Sequence, residues 1–246
     1  EKSLAENLKS AKEMVNYCRS KGLVLYENFT CDFHPQHEKV VLLIKRGDIG
    51  KPFVFKSFYG FPSFKKDNIR YDKKLGGSGL YDAGCYIVFM ARKTFGKEPI
   101  SVTCNLLRDK KTGVDLQGSI MMEFSDRKPA LGSFSYNSVY QNEYSIWGSE
   151  GLINVKRAYS IGPDMRPILE LIKNDGFKES AAVINVPAAN QFELIFYDFC
   201  DTVLYKRRRT NKINNIYFQL IAQAKVLEAL HLASKENRKV KIKEIN

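Results

Sequence analysis

The feature that most constrains this chain is a strict alternation from Val114 to Phe124, with Val114, Leu116, Gly118, Ile120, Met122 and Phe124 on one side. A period of two is the signature of a β-strand buried on one face. The pattern resumes at Gly132, Phe134 and Tyr136, returns at Tyr144, Ile146 and Gly148, and continues over 152–155 after a Ser149-Glu150-Gly151 turn. Further strands are expected at 53–57, 102–106, 168–172 and 181–186. Consecutive strands joined by short turns pair with their neighbours, so the sheet is expected to be open and mostly antiparallel. Two helices, 191–204 and 213–234, close the chain and do not suffice to cover both faces. An oligomer of at least two copies, formed through a sheet face bearing Phe134, Tyr136, Tyr144 and Ile146, is therefore expected.

The first fifty residues read differently. Ser3 and Glu6 form an S-x-x-E capping box before Leu4, Leu8, Ala11, Val15 and Cys18 at helical spacing, and Gly22 ends that helix. The segment 23–29 is apolar on both faces, as a parallel strand would be. A second helix carries Val40, Val41, Leu43 and Ile44 and stops at Gly47. One strand makes no sheet, so something upstream is missing from this α/β beginning.

Composition narrows the function classes. A chain of 246 residues with 44% hydrophobic content can bury a sizeable core. Its longest apolar run, from Cys85 to Ala91, falls far short of the roughly 20 residues a membrane helix needs, so no membrane partner is expected. Five scattered cysteines without CxxC spacing suggest neither a zinc site nor a disulfide framework, and point to a cytoplasmic, reducing compartment. The formal charge is +12, yet the only dense cluster is Lys206-Arg207-Arg208-Arg209 with Lys212. With no nucleic-acid motif, the positive charge reads as a solvated surface suited to anionic substrates such as sugar nucleotides.

Chemistry concentrates in Leu75-Gly76-Gly77-Ser78-Gly79-Leu80-Tyr81-Asp82-Ala83-Gly84-Cys85-Tyr86. A helix starting near Gly79 stacks Asp82 and Tyr86 on one face. The pair serves acid–base chemistry, or Asp82 serves the helix dipole while Tyr86 packs as a core aromatic. Other positions keep two readings each. Arg70 holds an anionic or hydroxyl-rich substrate, or makes a surface ion pair. Asn190 and Gln191 cap a helix or reach substrate, and Tyr136 and Tyr140 stack on a sugar or cover the sheet. His34 and His37 lack a third ligand, which leaves no metal site; His34 lines a cofactor pocket or packs at a domain junction. Cys85 lacks a base to make it a nucleophile.

In order and spacing, these pieces resemble the Gfo/Idh/MocA family of NAD(P)-dependent oxidoreductases over nearly the whole chain. Glu1-Lys2-Ser3 is similar to the family's E-K-P motif, and Gly47-Asp48-Ile49-Gly50 to its G-x-I-G turn. Residues 76–86 are similar to G-G-G-x-L-x-D-x-G-x-H/Y, and Phe95-Gly96-Lys97-Glu98-Pro99, Gly113-Val114-Asp115 and Gly148-Ser149-Glu150-Gly151 to later landmarks. The resemblance implies the C-terminal remnant of a dinucleotide-binding Rossmann domain over 1–32, lacking the glycine-rich phosphate turn, and a substrate-binding, oligomerising α+β domain over 33–246. It implies NAD or NADP as cofactor and a sugar, polyol or sugar nucleotide as substrate. Lys2, Asp82 and Tyr86 would be catalytic, Lys2 and His34 would face the cofactor, and Arg70, Asn190 and Gln191 the substrate. Lys2 would lower the pKa of Tyr86, since an opposite charge favours phenolate. Ser3 replaces the motif proline, and its capping box would hold the turn. The alternative function is a non-catalytic, truncated family member acting as a binding or oligomerisation module.

Overall fold

The computed structural model describes residues 1–246, the side chain of Asp175 apart. Its helices are α1 (Leu8–Ser20), α2 (Pro35–Lys45), α3 (Cys85–Phe95), α4 (Gln191–Leu204) and α5 (Thr210–Glu236). Its strands are β1 (Pro52–Gly60), β2 (Ser101–Arg108), β3 (Asp115–Glu123), β4 (Pro129–Ser135), β5 (Gln141–Gly148), β6 (Leu152–Lys156), β7 (Ile168–Asp175), β8 (Lys178–Val183) and β9 (Val240–Lys241). They form one nine-stranded sheet in the order β8-β7-β6-β5-β1-β4-β3-β2-β9. Only β1 and β4 run parallel, with Phe55 opposite Ala130 and Gly60 opposite Ser135. Every other pair is antiparallel, so the fold is the expected α+β with an open sheet.

The core lies between one sheet face and the layer of α3 and α5. Phe55, Ile120, Met122, Phe134, Tyr144, Ile146 and Val155 point into it and are buried. A Cβ at Gly132 would lie 2.6 Å from Ile87 Cγ2, so a bare backbone there lets α3 seat directly on β4. The other face stays open and presents Leu107, Met121, Leu131 and Trp147. This corrects the expected oligomer face, because Phe134, Tyr136, Tyr144 and Ile146 all lie in the core. Alternation fixes which residues share a face; which face the helices cover is a tertiary choice.

Two expectations for the first fifty residues also change. The cap of α1 is Asn7, whose Oδ1 accepts from Ser10 N at 2.8 Å, so the Ser3–Glu6 box does not form. Residues 23–29 are irregular and join no strand. Among the described residues no strand flanks them to complete a ladder. Their backbone is tied to distant groups instead, as where Asn28 N donates to Glu1 O at 3.2 Å. By contrast, α2 begins at Pro35, whose fixed φ suits the first helical position, with His34 as its cap.

His37, on the inner face of α2, ties that helix to the sheet. It bonds Tyr144 Oη through Nδ1 at 2.8 Å and Ala158 O through Nε2 at 2.8 Å. Burial above all, then the nearby Lys93 charge, lowers its pKa to about 3. The unfolded chain binds a proton there near the ordinary histidine value of 6.5, so the folded state favours the neutral ring. The stability contributed is fully present above about 6.5 and is lost as pH falls toward about 3. His37→Gln is expected to flatten this part of the pH dependence. Melting curves between pH ~7 and ~4 check it, and equal slopes in both proteins would refute the assignment.

Candidate active site

The glycine-rich segment folds as a π-turn, Leu80–Gly84, that runs into α3. Asp115 at the start of β3 takes up two of its free donors, accepting from Leu80 N at 2.7 Å and Ser78 Oγ at 3.1 Å. Glycines let the turn approach the sheet closely: a Cβ at Gly79 would lie 2.6 Å from Asp115 O. On the other side Gln223 of α5 donates to Cys85 O at 2.9 Å, and buried Arg92 in turn holds Gln223 at 2.9 Å. Asp82 is thereby fixed in space by β3 and α5.

Lys2 meets it across the fold. Its ammonium lies 2.5 Å from Asp82 Oδ1 and also donates to the Asp82 carbonyl oxygen. The neighbouring Ser3 hydroxyl donates to Tyr81 O at 2.9 Å, which holds the Lys2 segment without the family's proline. Asp82 Oδ2 accepts from Arg70 Nε at 2.7 Å and from Tyr136 Oη at 2.8 Å. Burial would raise the Asp82 pKa, but the Lys2 and Arg70 charges outweigh it and hold the carboxyl below its usual range. One carboxylate thus faces two cations, and the cluster keeps a net positive charge.

Tyr86 completes the group. The Lys2 ammonium sits 4.9 Å from its ring centroid, over the face of the ring. The ring packs edge-on against Phe29 and Tyr59, both at 5.2 Å, and tilted on Tyr159 at 5.4 Å. Burial in this aromatic cage is the largest influence on the phenol and pushes its pKa up, with nearby thiols and Asp82 adding to it. The expected lowering by Lys2 is therefore corrected. A phenol held protonated can give a proton but is a poor base.

The remaining predicted residues separate. Arg70 belongs to the cluster; its guanidinium lies over Phe64, 4.8 Å from the ring centroid. Its terminal nitrogens take no hydrogen-bond partner among the described residues. Asn190 spends its carboxamide oxygen capping α4, accepting from Phe192 N at 3.1 Å and Glu193 N at 3.3 Å. Gln191 is buried and donates to Thr30 Oγ1 at 3.1 Å. Neither bonds to the Lys2–Asp82 cluster. His34 accepts from Gln36 N through Nδ1 at 3.3 Å, and burial lowers its pKa. His34 Nε2 and Gln191 Oε1 are buried without a partner, both beside the 3-10 turn Thr30–Phe33. Two orphaned polar atoms suit an amide-bearing ring such as nicotinamide, which offers both a donor and an acceptor.

Three contributors go beyond the sequence reading. Tyr136 reads there as stacking on a sugar or covering the sheet and Asp115 only as part of the Gly113-Val114-Asp115 landmark, whereas their bonds to Asp82 and Leu80 join separate elements. Glu27 has a clearer signal, as the lone carboxylate in the apolar stretch 23–29. It accepts from Leu4 N at 2.8 Å, two residues past Lys2. Burial raises its pKa to about 7, against the lowering effect of the Leu4 hydrogen bond and the Arg92 and Lys2 charges. The folded state therefore holds this proton more tightly than the unfolded chain. That stability is fully present below about 4.5 and is lost as pH rises through about 7. Glu27→Gln keeps the acceptor and removes the charge, so it should melt a few degrees higher at pH ~8, with the gap closing near pH ~4. A variant that melts lower at both pH values would refute this.

Comparison with known proteins places this geometry. Residues 37–154 match the GFO/IDH/MocA C-terminal domain. The chain is 27% identical over 228 residues to a dTDP-3,4-didehydro-2,6-dideoxy-alpha-D-glucose 3-reductase of Streptomyces antibioticus, covering 93% of this chain and 67% of the relative. It is 31% identical over 156 residues to a trans-1,2-dihydrobenzene-1,2-diol dehydrogenase of Xenopus laevis, covering 63% and 47%. Across such relatives the chain spans about two thirds of their length or less. The crystal structure of a 3-ketoreductase from Actinomadura kijaniata with NADP and TDP-benzene shares the fold, with a TM-score of 0.86 and 24% identity over 94% of this chain and 69% of that one. Residues 37–154 therefore match the Gfo/Idh/MocA C-terminal domain, and the chain is similar along 93% of its own length to a sugar-nucleotide reductase.

Proposed function

We propose that this protein reduces a ketone carbon of a nucleotide-linked sugar, with Lys2, Asp82 and Tyr86 as its reactive group. The observation that carries this reading is the convergence of Lys2 on Asp82 and Tyr86 from 80 residues away. Residues 1–32 then serve the nucleotide-binding part and 33–246 the substrate part, and His34, Gln191 and Lys2 face the cofactor. When bound, the dihydronicotinamide supplies the hydride.

The chain's own side chains supply the rest. An ammonium has three donors, and Asp82 engages two of them. The third is left for the substrate carbonyl oxygen, where negative charge develops as hydride arrives. Tyr86, held protonated, gives its phenolic proton to that alkoxide and is reprotonated from solvent. Asp82 orients Lys2 and Arg70, whose free terminal nitrogens suit hydroxyl or anionic groups on the substrate.

The test is consumption of NADPH by the purified protein with a dTDP-linked 3-keto sugar. Turnover that falls roughly 10²–10⁴-fold in Tyr86→Phe supports the reading. A folded, nucleotide-binding protein that consumes no NADPH with linked or free keto sugars would overturn it and favour a binding module. A homo-oligomer through the open sheet face around Met121, Leu131 and Trp147 is the associated proposal. Sedimentation should find at least a dimer that Leu131→Glu dissociates, and a monomer at micromolar concentration would refute it.

A further inference from the structure

Beside the reactive cluster lies an open cleft of about 670 Å³ whose wall includes Lys66, Lys73, Lys74, Tyr71 and Thr112. It forms where the loop 65–74 faces the β2–β3 hairpin at 108–112. These two stretches hold eight cations against three carboxylates. Two of the carboxylates are turned to their own backbone. Asp72 Oδ1 accepts from Lys74 N at 2.8 Å, and Asp109 Oδ2 from Thr112 N at 2.8 Å. Asp67 and Asp72 both line the cleft, against the three lysines Lys66, Lys73 and Lys74. Among the described residues no ion pair involves Lys65, Lys66, Lys73, Lys74, Lys110 or Lys111. The cleft therefore keeps a net positive charge carried by lysines that no ion pair engages.

One aromatic layer separates this cleft from Asp82. Tyr71 lines the cleft and meets Tyr136 edge-on at 6.3 Å, and the Tyr136 hydroxyl is bonded to Asp82. Arg70, immediately before Tyr71 in the chain, turns its guanidinium to Asp82. In a sugar nucleotide the diphosphate is attached directly to the sugar ring. A ring held at Asp82 would therefore carry its phosphates only a few bonds away. We infer that the Lys66–Lys73–Lys74 cleft is the subsite for the diphosphate of a nucleotide-linked substrate. Unpaired ammonium groups at such a site gain charge-assisted hydrogen bonds to phosphate oxygens.

The inference rests on the nucleotide-linked sugar reading, and direct binding keeps the two separable. Calorimetric titration of the protein with thymidine diphosphate, thymidine and NADP+ is the experiment. K66E/K73E/K74E should bind thymidine diphosphate roughly tenfold more weakly or worse, and leave NADP+ affinity unchanged. Thymidine, which lacks phosphate, should not distinguish this variant from the parent. K206E/R207E/R208E makes the same change in net charge at the distant α4–α5 turn and should bind thymidine diphosphate as the parent does. Equal weakening in both triples would reduce the effect to net charge and overturn the subsite, as would parent-like binding by the cleft variant. Loss of NADP+ binding alone would overturn it as well. K66A/K73A/K74A, with melting curves on all variants, guards against a folding defect and should weaken binding in the same direction. If weakening occurs but no keto sugar is reduced, the subsite stands and the reductase reading falls. If reduction proceeds with the same KM in parent and cleft variant, the subsite falls and the reductase reading stands.

Discussion

Lys2→Ala is expected to lower turnover by roughly 10²–10⁴, at least as much as Tyr86→Phe, the scale for losing a charge or a proton donor at the developing alkoxide. The two variants should nevertheless differ in kind. Without the ammonium, Asp82 retains Arg70 but faces no cation on Oδ1, so the cluster loses its positive surplus and presents a neutral pair to an oxyanion. Without the Tyr86 hydroxyl, the charge stays in place and only the proton source is missing. Single-turnover reduction separates them. Tyr86→Phe should recover partly when protons are more abundant, whereas Lys2→Ala should remain slow across the same pH range. Substrate affinity should change far less than the rate, because both groups act on charge that exists only in the transition state. A Lys2→Ala enzyme with parent-like turnover would remove Lys2 from the reaction and leave a fold likeness without a mechanism.

Phe134→Ala is expected to cost roughly 3–5 kcal/mol of stability, the range for emptying a buried aromatic site. Phe134 is buried on the inner face of β4, and three glycines make room for its ring. A Cβ would lie 2.7 Å from the ring at Gly79, 3.0 Å at Gly84 and 2.5 Å at Gly118. The first two flank the π-turn that carries Asp82, and the third lies on β3 beside it. Filling that many contacts around one ring leaves little freedom for collapse once the ring is gone. Melting should fall by roughly 10 °C, given about 2–4 °C per kcal/mol in a domain of this size. Denaturant unfolding gives the free energy directly, and a loss below about 1 kcal/mol would show that the ring does not anchor the turn. Turnover should fall too, because the π-turn positions Asp82 and Tyr86.

The sequence by itself determined the sheet, the closing helices and the glycine-rich turn. Strict alternation over 114–124 and the strands after it commits each residue to one of two faces, and that periodicity is local. The body of α2 was similarly legible from Val40, Val41, Leu43 and Ile44, although the helix starts earlier, at Pro35. What failed locally were the cap of α1, where Asn7 displaced the Ser3–Glu6 box, and the segment 23–29. Apolar content supplies a strand's side chains but cannot supply the neighbour that accepts its backbone hydrogen bonds.

Tertiary structure decided the rest. It turned Phe134 against the glycine-rich turn and Tyr144 against His37 of α2, leaving Leu131 and Trp147 on the open face. It joined Tyr136 to Asp82 and Asp115 to Leu80, contacts no spacing rule announces because each spans two elements. It also set the charge states: the Lys2 that the family resemblance alone brings to Tyr86 sits over its ring, while the surrounding aromatics keep the phenol protonated. Residue types fixed the available chemistry, but burial and the direction of each side chain, both non-local, fixed which proton can move.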